Sequence, residues 1–173
     1  MHDPATTITK AIPAQAGDIY ALLMRCKEHL ATANIFQWTD AYPTPATVMQ
    51  DIDNDHLYCL TAGGRCAGVI TINQVQDEEY ATVPWACQTG KPLIVHRLAI
   101  DPEQQGNGYA RQLMDFAEDY AQQHGYSSIR LDAYSVNKRS LNFYEQRGYE
   151  KRGEVFFPGR PEIFFCFESV IER

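Results

Sequence analysis

The sequence predicts an α/β fold: a mixed, mostly antiparallel central sheet flanked by helices, with two parallel strands at its centre. Two observations carry this reading. First, residues 93–149 contain a strand, a glycine loop, a helix and a second strand. Residues 94–100 are a short apolar run rich in branched side chains, as a buried strand requires. Asp101-Pro102 ends that run, because proline cannot donate to a ladder. Leu113, Phe116, Ala117, Tyr120 and Ala121 then recur at helical spacing, and His124-Gly125 closes the helix. Residues 129–132 (Ile-Arg-Leu-Asp) form the second strand, and a crossover of this kind joins parallel strands in a right-handed sense. Second, Gly63-Gly64 and residues 158–161 are turn signals, each set between strand-like runs, and they mark antiparallel hairpins.

The other elements follow in order. Residues 7–11 alternate and read as an edge-like strand, ended by Pro13. Ile19, Leu22, Leu23 and Cys26 give one apolar face to a helix over about 17–30. Residues 35–43 are aromatic and non-periodic, hence a loop or short turn. Thr44-Pro45 is an N-cap followed by proline at the first helical position, starting a helix through Val48, Met49 and Ile52 that stops at Asn54-Asp55. Residues 57–62 and 67–75 are the strands of the first hairpin. Asp77-Glu78-Glu79 reads as a solvated connection. Residues 80–92, with Trp85, read either as a short helix or as an extended loop. Residues 150–157 and 163–170 are the closing strands. The order is β-α-α-β-β-β-α-β-α-β-β, with no repeat or linker, so residues 1–173 are expected to form a single domain.

Composition narrows the partners. The chain has 173 residues, 45% hydrophobic and 21% charged, with a net charge of -7. Such an acidic, globular composition argues against nucleic acid or an anionic membrane as main partner. No apolar run approaches a membrane span, and Met1-His2-Asp3-Pro4 lacks the basic segment of a secretion leader. The five cysteines are odd in number, scattered and without metal-ligand spacing. They are expected to be free thiols in a reducing cytoplasm, with no metal site. Cys166 reads as a buried strand cysteine.

Chemistry enters at Gln105-Gly106-Asn107-Gly108-Tyr109-Ala110-Arg111. The first amides of a helix lack internal partners, and its N-terminus carries partial positive charge. Without side chains at Gly106 and Gly108, a pyrophosphate can lie on the bare amides, with Arg111 adding charge. Equally, the glycines can simply make a tight turn. No Gly-Lys-Ser/Thr follows, so this is not a Walker loop, and the three-glycine dinucleotide fingerprint needs a longer spacing.

Gln105-x-x-Gly108-x-Ala110, following Leu98-Ala99-Ile100-Asp101-Pro102, resembles the acetyl-CoA-binding motif of the GCN5-related N-acetyltransferase (GNAT) family, whose pattern is Arg or Gln, two residues, Gly, one residue, then Gly or Ala. Asn137, Ser140, Tyr144 and Gly148-Tyr149 resemble that family's Asn-x-x-Ala-x-x-x-Tyr-x-x-x-Gly-Phe signature, with Ser in place of Ala and Tyr in place of Phe. The resemblance spans nearly the whole chain in element order. It implies that the two parallel strands splay at a bulge and that the cofactor's pantetheine arm enters the gap. The backbone of Leu98 and Ile100 would then bond that arm, and the amide of Leu98 would face the thioester carbonyl. Residues 105–111 would cradle the pyrophosphate. Asn137 would bond the arm, the alternative being a helix N-cap. Ser140 belongs to the same motif. Tyr144 would protonate the departing thiolate, the alternative being aromatic packing.

The attacking amine must first lose a proton. His96, which alternation places on the same side as Leu98 and Ile100, is either that base or a satisfied core histidine. Arg97, Arg130 and Asp132 read as a structural charge cluster on the other face. Trp38, Tyr42 and Trp85 either wall an acceptor pocket or pack an apolar loop on the core. The expectation is an acetyl-CoA-dependent N-acetyltransferase. It acts on a small amine or peptide by direct attack in a ternary complex, and a homodimer through the final strands is open. A CoA-binding sensor on the same fold is the rival, and an ATP-binding domain a third reading. The residues leave open which amine is the acceptor, the acyl-chain length, and whether His96 or water acts as base.

Overall fold

The structure, a computed structural model, describes residues 5–172. The four residues before them, read above as lacking a leader, lie outside the described part. The elements are β1 (Thr6–Lys10), α1 (Ala16–Ala31), α2 (Pro45–Asp53), β2 (Leu57–Ala62), β3 (Arg65–Asn73), β4 (Pro92–Ile100), α3 (Tyr109–Gln123), β5 (Ser128–Tyr134), α4 (Lys138–Gln146), β6 (Glu150–Val155) and β7 (Phe164–Val170). This is the predicted order. The ambiguous stretch before β4 resolves into a short 3-10 turn, Glu78–Thr82, followed by extended chain.

The strands form one sheet in the order β1-β2-β3-β4-β5-β7-β6. All neighbours are antiparallel except the central pair β4–β5. One face is covered by α1 and α2. Ile19, Leu22, Leu23 and Cys26 of α1 meet Val48 and Ile52 of α2 over Cys59 and Val69. The other face is covered by α3 and α4. There Leu113, Met114, Ala117 and Ala121 of α3 join Leu141 and Tyr144 of α4 over Leu60, Ile70, Leu93, Leu131 and Phe167. The helical stripes read from the sequence are these buried faces. The cap of α2 is also as read: Thr44 Oγ1 accepts from the Thr47 amide at 3.2 Å, with Pro45 next.

A third cluster, built on Tyr80, Trp85, Ile94, Tyr134, Phe164 and Cys166, packs the segment before β4 against the sheet. Its polar anchor is the buried carboxylate of Glu168 on β7. That group accepts from the Ala86 amide at 2.8 Å, from Arg130 Nε at 3.3 Å and from Arg152 Nε at 3.2 Å. Arg130 also lies over the Trp85 ring, 4.4 Å from its centroid. Arg130 is therefore the structural charge expected of it.

Cysteine departs from expectation. Cys59 and Cys66 are joined by a disulfide with their Cα atoms 6.1 Å apart, so free thiols remain only at Cys26, Cys87 and Cys166. The Gly63-Gly64 turn returns β3 beside β2 and brings the two together, a neighbourhood that cysteine spacing alone does not reveal. Cys166 is buried on β7, as read.

Two features of β4 shape the site. It pairs with β5 only at Pro92–Ser128, Leu93–Ile129 and Ile94–Arg130, and beyond these the strands part. Against β3, the register shifts so that Arg97 and Leu98 together oppose Ile70, with Arg97 in the left-handed region at φ 47°. The splay and bulge implied by the resemblance are both present.

Candidate active site

The parting of β4 and β5 opens a cavity of about 300 Å³ that reaches both faces of the sheet. Its walls differ in character. On the α3–α4 side stand Val95 and Leu98 of β4, Leu131 and Ala133 of β5, and Ser140 and Tyr144 of α4. On the other side stand Trp38, Tyr42, Asp77, His96, Arg97, Asp132, Tyr134, Phe157 and Arg160.

The first wall suits a narrow acyl carrier. Past Ile94 no strand pairs the β5-facing edge of β4, so its backbone groups there need another partner. The Asp101 amide donates to Ala67 O at 2.9 Å, turning toward β3. By alternation, the Ile100 amide turns toward the gap, while its carbonyl accepts from the Cys26 thiol at 3.1 Å. Leu98 lies in the bulge beside it. At the gap's end, Gly106 and Gly108 take φ 86° and 77°, and nothing lies within 4 Å of where a Cβ would sit on either. The loop is thus an open cradle before the free amides of α3. Arg111 makes no ion pair among the described residues, and Arg139 reaches across to bond Gln105 Oε1 at 2.8 Å. Asn107 instead ties its side chain to Gln104 O, and Tyr109 buries its ring in the core, so the backbone is what this pair offers. These features fit a diphosphate and its pantetheine arm.

Tyr144 is buried, and its hydroxyl has no hydrogen-bond partner among the described residues, although it lines the cavity. Burial, reinforced by the charge of Asp132, pushes its pKa well up, so it stays a proton donor across the physiological range. Asn137 is engaged at both ends. Its Oδ1 accepts from the Ser140 amide at 3.2 Å, capping α4, and its Nδ2 donates to Gln37 Oε1 at 2.9 Å. The cap is the alternative role given for it above.

His96 differs from the simple strand reading. His96, Arg97 and Leu98 all line the cavity, which alternation forbids and the bulge permits. Ile100 packs instead against the core on the α3 face. His96 Nε2 lies 3.0 Å from Asn73 Oδ1 and 3.1 Å from Val75 O. Both are acceptors, because Asn73 Oδ1 also takes the Val75 amide at 2.9 Å. Nε2 therefore carries the proton. Burial, with Arg97 beside it, lowers the His96 pKa to about 4.

Four charged residues on the second wall lie outside the site residues that the sequence points to. Asp132, which reads in the sequence as part of a structural cluster, lines the cavity, and its Oδ2 accepts from the Tyr80 hydroxyl at 2.6 Å. Burial raises its pKa to about 6, opposed by the Tyr80 bond and aided by Asp77. An acid set between Leu131 and Ala133 on a largely buried strand is the available signal. Asp77 is exposed, as its solvated reading expects, yet it also lines the cavity, where partial desolvation and the neighbouring Glu79 raise its carboxyl pKa. Arg160 comes from the turn between β6 and β7, where no pattern marks it. Arg97, also read as structural, lines the cavity while paired with Asp51 and bonded to the Tyr42 hydroxyl. Trp38 and Tyr42 stand at the cavity as expected. Trp85 does not; its indole donates to Tyr80 O at 3.0 Å inside the third cluster.

The chain matches the profile of the Acetyltransferase (GNAT) family over residues 18–149. It belongs to that family. Among curated GNAT relatives, human N-acetyltransferase 8B is 31% identical over 67 residues, which is 39% of this chain and 30% of that protein. The matched stretches span under half the length of each such relative. Among solved structures, a GNAT-family acetyltransferase from Streptococcus agalactiae superposes with a TM-score of 0.82 at 20% identity, covering 100% of this chain and 99% of that one. PaiA N-acetyltransferase from Thermoplasma acidophilum, solved in complex with coenzyme A, gives 0.72 at 14% identity over 96% and 99%. At such identities these neighbours show the fold.

Proposed function

We propose that the chain is a single-domain, acetyl-CoA-dependent N-acetyltransferase that acts on a primary amine by direct attack in a ternary complex. The observation that carries this reading is the shared cavity. Tyr144, with its unspent hydroxyl, stands on one wall, and Asp132 on the other. A coenzyme A complex of a structural neighbour and the open glycine loop support the choice of acyl donor.

Acetyl-CoA would supply an acyl group activated as a thioester. The Leu98 and Ile100 backbone, residues 105–111 and Arg139 would hold it, with Asn137 and Ser140 setting the start of α4 alongside. The Leu98 amide would donate to the acyl oxygen as negative charge grows there, the interaction that most lowers acyl-transfer barriers. Asp132 takes one proton from the incoming ammonium, freeing the lone pair for attack on the acyl carbon. The C–N bond forms and the C–S bond breaks. Tyr144 gives its proton to the leaving sulfur and is replenished by the second nitrogen proton, so the turnover releases one proton net through Asp132. His96 fits the base role poorly, because Nε2 is committed and the ring is weakly basic. It fits better as a neutral support beside Asn73.

Calorimetry with acetyl-CoA, and ATP as control, tests the cradle. Tight acetyl-CoA binding with none of ATP, followed by amine-dependent release of CoA, is the expected result. Binding without any release would leave only a sensor. Cytoplasmic location and a homodimer through the β6–β7 edge belong to the same proposal. Fractionation and light scattering test them.

A further inference from the structure

The acceptor wall carries two cations and two carboxyls, and their pairing is unequal. Arg97 spends its charge on Asp51, a buried partner bonded through Nε at 3.0 Å and through Nη2. Arg160 has no acidic partner within ion-pair distance among the described residues. It donates from Nε to Gln37 O at 3.2 Å and from Nη1 to Pro158 O at 3.1 Å. Of the five N–H donors of a guanidinium, three find no partner among the described residues. Its charged carbon lies over the Tyr42 ring, 5.2 Å from the centroid, which fixes the plane at the cavity. A fixed, unspent guanidinium fork on a cavity wall suits a carboxylate.

Resting on the acetyltransferase reading above, we propose that the acceptor is a free α-amino acid with an apolar side chain. Its ammonium is held by Asp132 and its carboxylate by Arg160. The two side chains line one cavity, and the Arg160 charge reaches Asp132. Opposite charges on a shared wall match a small zwitterion. A polyamine would place extra positive charge beside Arg160 and Arg97. A peptide N-terminus or a protein lysine would put a neutral amide where Arg160 waits. Trp38, Phe157 and Phe164 supply the apolar surface for the side chain, the last two rings packed edge-to-face at 5.0 Å.

The test compares leucine and phenylalanine with their amides, the matching decarboxylated amines and leucylglycine, all with acetyl-CoA. The readouts are CoA release and calorimetric binding to the CoA-loaded protein. The expected result is a kcat/KM for each free amino acid roughly 10- to 100-fold above that of its amide, the range of a charge-assisted bond. Arg160→Gln brings that ratio to near one, and Arg160→Lys keeps part of it, lacking the fork. The wild-type comparison needs no variant, so a misfolded substitution cannot hide the answer. Equal or better turnover of the amides, or of leucylglycine, overturns the inference and leaves the enzyme standing. Arg160-dependent binding of the amino acids with no CoA release from any amine overturns the catalytic reading and leaves the carboxylate site standing. No binding and no turnover of the amino acids removes the inference outright.

Discussion

Asp132 and His96 share the cavity and respond to acid in opposite senses. Asp132 moves from its ordinary 3.8 up to about 6, chiefly by burial. As a base it must be ionised, so kcat/KM falls as pH drops through about 6. Asp132→Asn should cost roughly 10²-fold or more and abolish that acid limb, which a pH–rate series reads directly. For stability the signs differ. The raised Asp132 adds stability that is present below the unfolded carboxyl's range and lost as pH rises through about 6. His96 moves from 6.5 down to about 4, again chiefly by burial, so it costs stability as pH falls from 6.5 toward 4. The two offset each other in mild acid. Urea midpoints at pH 7, 5.5 and 4.5 should fall more steeply with acid in Asp132→Asn and less steeply in His96→Gln. Tyr144→Phe removes only an oxygen whose hydroxyl has no hydrogen-bond partner among the described residues. It should therefore leave the melting temperature nearly unchanged while lowering kcat roughly 10²-fold or more.

At the scale of the element, β4, the glycine loop and α3 were legible because each leaves its mark within a short window: branched run, Asp-Pro stop, glycines, helical stripe. Gly108 serves as the N-cap of α3 at φ 77° with open space above it. Gly108→Ala should cost about 1 to 2 kcal/mol in chemical denaturation, the price of a left-handed residue with a Cβ. It should also weaken acetyl-CoA binding in calorimetry, since the added methyl would occupy open space, with no described atom within 4 Å, beside the amides proposed to hold the pyrophosphate. The bulge was not legible from the residues themselves. Arg97 takes φ 47° without being glycine, and one extra residue there defeats the alternation used to place His96. The acceptor wall was equally hidden. Trp38, Asp77 and Arg160 come from three separate loops, and only the closed sheet makes them neighbours. Asp77 sat in an acidic run whose ordinary fate is solvation, and the Cys59–Cys66 pair lay concealed in a hairpin.

Across the whole molecule, Glu168 ties β7, β5, β6 and the chain before β4 to one buried carboxylate. Removing it strands Arg130 with its charge unmatched in the interior. Glu168→Ala should therefore cost about 3 to 5 kcal/mol, measured by urea unfolding. Because that chain also carries Asp77, activity should fall with stability. The loss should differ from that of Asp132→Asn in leaving the acid limb of the pH–rate profile in place. Among the described residues no helix is long and apolar enough to cross a membrane.

The short join between β4 and β5 has a consequence for the clock of amide exchange. The sheet is two half-sheets fastened near Leu93 and hinged open beyond it. Amides with no strand across from them exchange with deuterium as if on a surface, even in a molecule that never unfolds. The Ile100 amide should therefore label quickly in the free protein while Ile94, a few residues back, labels slowly. Adding CoA would supply the missing strand, and protection should then run along β4 as a ladder completed by a small molecule.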